Sequence, residues 1–208
     1  FFKKACAMKT TICNKAQEMF LELGFKSVTM DDIANAMGIS KKTIYVHFSN
    51  KTDLIQETTF NMFDEVSNKI ESIRVTANNP IVELYEVKLF LMRYLKGEKV
   101  SPLFQLQKFY PSIHQELQKK QYKFMLDSVK RSLQKGIVLG LFRDNIDIEF
   151  ISRMYFNGMN GIKNREVFVS ELFHPDYLME SYLDYHLRAI VTQKGLKELN
   201  KITLTKAS

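Results

Sequence analysis

Residues 29–48 read TMDDIANAMGISKKTIYVHF, from Thr29 to Phe48. The stretch predicts two short helices joined by a tight turn. Thr29 stands where a helix N-cap belongs, and Asp31 and Asp32 follow where carboxylates suit the positive end of a helix. That helix runs to Met37, and Gly38 supplies the residue tolerant of positive φ that the turn needs. Ser40 then caps a second helix, from Lys41 to about Phe48. Two helices that cross steeply require a small residue at their closest approach and a small apolar core around it. Ala34 is the small residue, and Ile33, Met37, Ile39 and Ile44 surround it at offsets −1, +3, +5 and +10. This is the pattern of a helix-turn-helix.

The second helix exposes Lys41, Lys42, Thr43, Tyr45, Val46 and His47. Its N-terminal end is expected to carry positive dipole and free N–H groups suited to phosphates and base edges. Lysine pairs with the acceptors of guanine, and Thr43 or Val46 can touch a thymine methyl. Each good bidentate pairing discriminates by about 1–3 kcal/mol. A helical hairpin whose lysines only face solvent accounts poorly for aromatic and hydroxyl groups set beside them after a glycine turn.

Outward from this stretch the periodicity stays helical. Upstream, over residues 9–24, Ile12, Ala16, Met19, Phe20 and Leu23 form one apolar face that Gly24 ends. Downstream, Asn50 caps a helix from Lys51 to about Arg74, and Asn78-Asn79-Pro80 is a break. Residues 81–96 form a helix with Val82, Tyr85, Leu89, Met92 and Leu95 or their neighbours inward. Ser101-Pro102 starts a short helix that Tyr110-Pro111 ends. Residues 112–138 form a long one with Leu117, Phe124, Leu126, Val129 and Leu133, its end loosened by Gly136 and Gly140. Asp147 caps residues 148–164, and His174-Pro175-Asp176 opens a last helix to about Gln193. No period-2 run occurs. The expected fold is all-α: an N-terminal three-helix helix-turn-helix DNA-binding domain over 1–50, and a larger helical domain over 51–208.

Composition agrees. The formal net charge is +7, and eight lysines face four acids up to residue 51. A basic surplus of this kind suits nucleic acid or an anionic surface. Cys6 and Cys13, seven residues apart on one helix face, cannot form a disulfide within that helix. They read as small hydrophobes, with a thiol redox sensor as the alternative. No uncharged apolar stretch approaches the roughly 18 residues of a membrane-spanning helix. Phe1-Phe2-Lys3-Lys4 does not read as a signal peptide, so a cytoplasmic protein without membrane contact is expected.

Residues 9–58 resemble the N-terminal domain of TetR-family regulators. The resemblance is carried by Ile12, Ala16, Phe20, Gly24, Thr29, Ile33, Ala34, Met37, Gly38, Ile39, Ser40, Lys41, Thr43, Ile44, Tyr45, His47, Phe48, Lys51 and Leu54. Lys42 departs from it where Gly is common, and Val46 where a second aromatic is common. The resemblance implies that Thr29, Tyr45, His47 and Lys51 clasp phosphates. It also implies that Lys41, Lys42, Thr43 and Val46 approach bases, and that Ile44 and Phe48 face the domain core. Lys135 to Asp147 is similar to the family's link before its dimerisation helices, which implies a homodimer through residues 148–164 and 176–193. Gly158 and Gly161 would let these helices approach closely. The resemblance further implies a small effector in the helical core, with candidate wall residues Met62, Phe63, Tyr85, Phe104, Phe109, Tyr122, Met125, Tyr155 and Met159. The partners expected are therefore a double-stranded DNA operator, a second copy of the chain and a small, largely apolar effector.

Little else in the chain suggests chemistry. His47, His114, His174 and His186 are scattered, and no zinc spacing, nucleophile elbow or glycine-rich phosphate loop occurs. Asp144, Asp147 and Glu149 cluster at a helix start, where capping explains them. Neither an enzyme nor a bound metal or cofactor is expected. Lys119, Lys120, Lys123, Lys130, Arg131 and Lys135 read as a solvated helix face or as a second basic strip. Three classes stay open in order: a ligand-responsive repressor, a DNA-binding regulator or chromosome-organising protein without a small effector, and an enzyme.

Overall fold

The computed structural model describes residues 2–95, 102–164, 166–169 and 171–204. Among them lie the helices α1 (Phe2–Leu23), α2 (Met30–Met37), α3 (Lys41–Tyr45), α4 (Lys51–Thr76) and α5 (Pro80–Leu95). They are followed by α6 (Pro102–Phe109), α7 (Pro111–Val138), α8 (Ile148–Gly161), α9 (Pro175–Ile190) and α10 (Gln193–Leu204). The chain is all-α. Its extended pairing among the described residues is an isolated antiparallel bridge between Phe142 and Val191. Ser101 and the side chains of Lys3, Lys4, Cys6 and Leu95 lie outside the described residues.

Local chemistry explains the boundaries. At the start of α2 the N–H of Asp32 donates to Thr29 Oγ1 at 3.1 Å, and the N–H of Thr29 donates back to Asp32 Oδ2 at 2.8 Å. This reciprocal cap satisfies two N–H groups that a helix start otherwise leaves open. At the other end Gly38 adopts φ 64° and ψ 30°. Its N–H and that of Ile39 close onto the Asn35 and Ala34 carbonyls at 3.1 and 3.0 Å.

Four boundaries differ from the sequence reading, the first at α1, which starts at Phe2 and not near residue 9. The helix α3 stops at Tyr45 rather than near Phe48. The N–H groups of His47 and Phe48 both turn back to the Ile44 carbonyl, and Asn50 Oδ1 already accepts the N–H of Asp53 to start α4. The helix α8 ends at Gly161, and residues 162–164 continue as a turn. The last stretch is two helices, not one. It divides at Val191-Thr192, where Thr192 Oγ1 accepts the N–H of Gly195 and its carbonyl accepts that of Leu196, capping α10.

The chain forms two compact units, one of residues 1–68 with 95–121, the other of 69–94 with 122–208. In the first, Ile12, Ala16, Phe20, Phe25, Val28, Ile33, Ala34, Ile44, Phe48, Leu54 and Ile55 share one core with Leu106, Ile113 and Leu117. This unit reaches well beyond residue 50, because α6 and the first turns of α7 bury their apolar side chains in that core. Cys13 is buried there, and burial pushes its thiol pKa up, which suits a small hydrophobe.

The second unit is centred on Ile81, Tyr85, Val129, Leu133, Phe142, Tyr155, Leu183, Leu187 and Leu199. Here α5 presents Ile81, Tyr85 and Lys88 inward while Leu89 is exposed. The apolar pattern placed Leu89 or a neighbour inward, and the neighbour is Lys88. The inward face also carries two charged groups, Glu83 and Lys88, each held by a partner from another segment. Gly158 lets α8 and α9 come together, since a Cβ there would stand 2.1 Å from the Tyr182 ring, whereas Gly161 meets nothing.

Candidate nucleic-acid interface

The helix α3 is seated on the first core by Ile44 and Phe48, which are almost wholly buried. Helical geometry then turns the intervening positions outward. Lys41, Lys42, Tyr45 and Val46 are exposed together, Val46 at 74%. Thr43 and His47 are half-buried at the flanks of this row. The structure thus brings six of the eight expected DNA residues onto one short segment, four of them fully on its outer face.

The remaining two have local duties. Thr29 is held in the α2 cap, its hydroxyl 2.7 Å from Asp32 Oδ2, and these bonds lower the Asp32 pKa. Lys51 is half-buried in the first turn of α4 and donates to the Lys26 carbonyl at 3.3 Å, and burial lowers its pKa. Thr43 is also engaged, its hydroxyl 2.8 Å from that of Ser40 and its N–H on Ser40 Oγ at 3.1 Å. With only five residues in α3 and this N–H already bonded, the helix end offers little of the dipole expected from the sequence, so the side chains carry the chemistry.

Lys41 and Lys42 differ in a way that sequence alone does not reveal. Lys41 Nζ is 2.6 Å from Asp31 Oδ2 of α2, and that hydrogen bond raises the Lys41 pKa. Lys42 makes no ion pair among the described residues. Lys9, on α1, pairs with Glu57 at 2.6 Å and lies 5.4 Å over the Phe48 ring, bracing the segment that follows α3. Half of the basic run on α7 is matched by other groups. Lys120 sits over the Phe60 ring, Lys130 pairs with Glu149, and Arg131 pairs with Glu71 at 2.6 Å.

The expected effector residues fall in both units. In the second, Tyr85, Tyr155 and Met159 share the core and Met125 packs against it. Tyr122 meets the Phe156 ring edge-on at 4.8 Å and accepts a bond from Arg153 at 2.6 Å. In the first, Met62 and Phe63 are half-buried, while Phe104 and Phe109 are exposed with Lys108 over both rings. Two open surface depressions are described. One of about 240 Å³ is lined by Asn14, Gln17, Glu18, Leu21 and Glu65; the other, about 410 Å³, lies around Phe142, Arg143, Asp144 and Thr192. Neither is lined by the expected effector residues.

The sequence reading missed a buried polar cluster in the second unit. The Glu83 carboxylate, 2% exposed, accepts from Arg74 Nε at 3.1 Å and from Ser132 Oγ at 2.6 Å, while Arg74 and Arg131 both bond Glu71. His186, beside the Tyr155 ring at 4.8 Å and the Tyr182 ring at 6.1 Å, is buried, and its pKa falls to about 4. Among the described residues no group of three or more His, Cys, Asp or Glu side chains comes together as a metal site. Nor is any helix there long and apolar enough to cross a membrane.

A capped helix, a glycine turn and a second helix that sits on its own core while presenting lysines, Tyr45 and Val46 outward make this a helix-turn-helix DNA-binding protein. Residues 12–58 match the family described as bacterial regulatory proteins, tetR family. In this N-terminal domain the chain is similar to the TetR family of transcriptional regulators.

Among its relatives is the transcriptional repressor KstR2 of Mycolicibacterium smegmatis, 26% identical over 149 residues, which are 66% of this chain and 69% of that protein. Another is IcaR of Staphylococcus aureus, the negative regulator of the biofilm operon icaADBC. It is 32% identical over 88 residues, 42% of this chain, so the match spans only 46% of that relative's length. The fold is similar to that of SmeT, the repressor of a Stenotrophomonas maltophilia multidrug efflux pump, with TM-score 0.66 and 21% identity over 89% of this chain and 91% of that one.

Proposed function

We propose that this protein is a repressor that binds a palindromic operator as a homodimer and leaves it when a small, largely apolar effector binds. It would act in the cytoplasm, where its DNA target is. The observation that carries the reading is the outward row Lys41, Lys42, Tyr45 and Val46 above buried Ile44 and Phe48. In this reading Lys41, Lys42, Thr43 and Val46 approach bases, while Thr29, Tyr45, His47 and Lys51 serve phosphates. Two such segments in a dimer would fit successive major grooves about 34–36 Å apart.

The dimer surface is proposed on α8 and α9. Phe150 and Met154 lie one turn apart on α8 and are 58% and 48% exposed; Tyr177 and Tyr185 of α9 are 59% and 72% exposed. Apolar and aromatic side chains left outside in this number suit coverage by a second copy. The effector wall is proposed around Tyr85, Tyr155 and Met159, which share one core, and Met125, which packs against it, with Tyr122, Met62, Phe63, Phe104 and Phe109 as further candidates. SmeT, for its part, has been solved in complex with triclosan, a relation of that protein. Effector can shift operator binding only through its different affinity for the bound and free states.

One observation favours a second reading, a regulator without small effector. Tyr155, Tyr182 and His186 already pack ring against ring in that core. Selection of bound duplexes from a random DNA pool, repeated with apolar compounds present, separates the two. A recovered palindrome whose binding one compound abolishes supports the repressor. A palindrome insensitive to saturating ligands supports the second reading, and recovery of no enriched sequence overturns both.

A further inference from the structure

The outer face of the reading segment carries an acid that DNA binding does not call for. Asp31 and Asp32 stand side by side in the first turn of α2, yet their duties differ. Asp32 closes the cap with both the N–H and the hydroxyl of Thr29. Asp31 instead accepts the ammonium of Lys41 at 2.6 Å, joining α2 to the first residue of α3. Both partners are about half exposed, 47% for Lys41 and 58% for Asp31, and exposed pairs of this kind contribute little to stability. A carboxylate on a face that meets a polyanion is repelled by phosphates within a Debye length.

We propose that Asp31 is a specificity-determining residue of the reading face, which by holding Lys41 makes that lysine a reader of guanine instead of a phosphate clamp. The inference rests on α3 being the reading helix. An ammonium has three donors, and Asp31 takes one. The two that remain match the two acceptors, O6 and N7, that guanine offers in the major groove. Those acceptors are uncharged and can approach without confronting the carboxylate. A phosphate in the same place would confront it, and the paired lysine carries almost no net charge to release counterions. The pair therefore withholds Lys41 from DNA of arbitrary sequence while leaving it aimed at a guanine. Lys42, with no ion pair among the described residues, has no such restriction.

The test uses the full chain, its Asp31→Asn, Asp31→Glu and Lys41→Ala variants, and the Asp31→Asn/Lys41→Ala double variant. Anisotropy titrations across a salt series are run on the duplex selected by the unmodified protein, on versions with each G·C pair replaced in turn, and on a random duplex. Asp31→Asn is expected to tighten the random duplex by up to about fivefold, the upper reach of an exposed pair. It should also steepen the dependence of log K on log salt by about 0.9, one more phosphate neutralised. Discrimination against replacement of one G·C pair should fall in Asp31→Asn and return in Asp31→Glu. In the Lys41→Ala background Asp31→Asn should leave that discrimination unchanged. If Asp31→Asn tightens selected and random duplexes by the same factor, the carboxylate only repels and the inference fails. It fails equally if salt slope and discrimination stay as they were. If the unmodified protein selects no sequence, or Lys41→Ala binds the selected duplex normally, the reading helix itself is misassigned and the inference falls with it.

Discussion

The ammonium of Lys51, in the first turn of α4, donates to the main-chain carbonyl of Lys26 at 3.3 Å, closing a span of twenty-five residues. It ties the start of α4 to the turn between α1 and α2. Lys51→Ala is therefore expected to weaken operator and random duplexes by a similar factor and to flatten the salt slope by about 0.9. Lys42 is exposed and makes no ion pair among the described residues, so Lys42→Ala is expected to change which bases are preferred. Titration of both variants on a panel of duplexes checks the split, and parallel losses across the panel would remove it.

Arg74 and Glu83 form a pair of which the acid is 2% exposed and the base 13%. Arg74→Ala would leave the Glu83 carboxylate buried with Ser132 as its remaining donor. Breaking one side of a buried pair costs about 3–5 kcal/mol, whereas neutralising both sides costs much less. Urea unfolding of Arg74→Ala against Arg74→Met/Glu83→Gln is expected to show the larger loss in the single variant.

Two glycines on α8 make a controlled contrast. A Cβ at Gly158 would stand 2.1 Å from the Tyr182 ring, whose hydroxyl donates to the Met154 carbonyl at 2.9 Å, while a Cβ at Gly161 meets nothing. Gly158→Ala should therefore destabilise by about 1–3 kcal/mol through overpacking. Gly161→Ala should be neutral or gain up to about 1 kcal/mol by restricting the unfolded chain. Thermal melts of the two variants decide the matter, and equal shifts would contradict it.

His186 makes stability fall on acidification. Burial lowers its pKa from 6.5 to about 4. Above pH 6.5 the ring is neutral whether the chain is folded or not, so it contributes no slope. Between about 6.5 and 4 the unfolded chain takes up a proton that the folded one refuses, and stability drops by about 3 kcal/mol in all. Below about 4 the loss levels off. His186→Phe should remove this part of the slope, read as the difference between the two melting profiles from pH 4 to 7.5. Identical profiles would mean the ring titrates freely in the fold.

The reading segment was legible because its determinants are local. Thr29 and Asp32 are three residues apart, Gly38 ends the helix whose carbonyls it closes, and Ile44 and Phe48 lie one turn apart on a single face. The division at Val191-Thr192 was harder to see, since neither Gly nor Pro marks it. Thr192 caps α10 only once its hydroxyl has met the N–H of Gly195, and the same hydroxyl also reaches the Gly140 carbonyl fifty-two residues away. On α5 the apolar pattern marked Tyr85, which is buried, but apolar periodicity cannot count Glu83 or Lys88 as inward residues.

Sequence by itself therefore determined the helical class, the capped turn from Thr29 to Phe48 and the placement of lysines on the segment that leaves Ile44 inside. These follow from caps, positive φ and the 3.6-residue period, which act over one or two turns. Tertiary structure alone decided that Lys41 is held by Asp31 while Lys42 makes no ion pair among the described residues. It alone decided that Lys51 is tied back to Lys26, and that Glu83 and Lys88 turn inward. Each of those outcomes depends on a partner from another element, and a charged side chain enters or leaves the interior according to whether such a partner compensates its lost hydration.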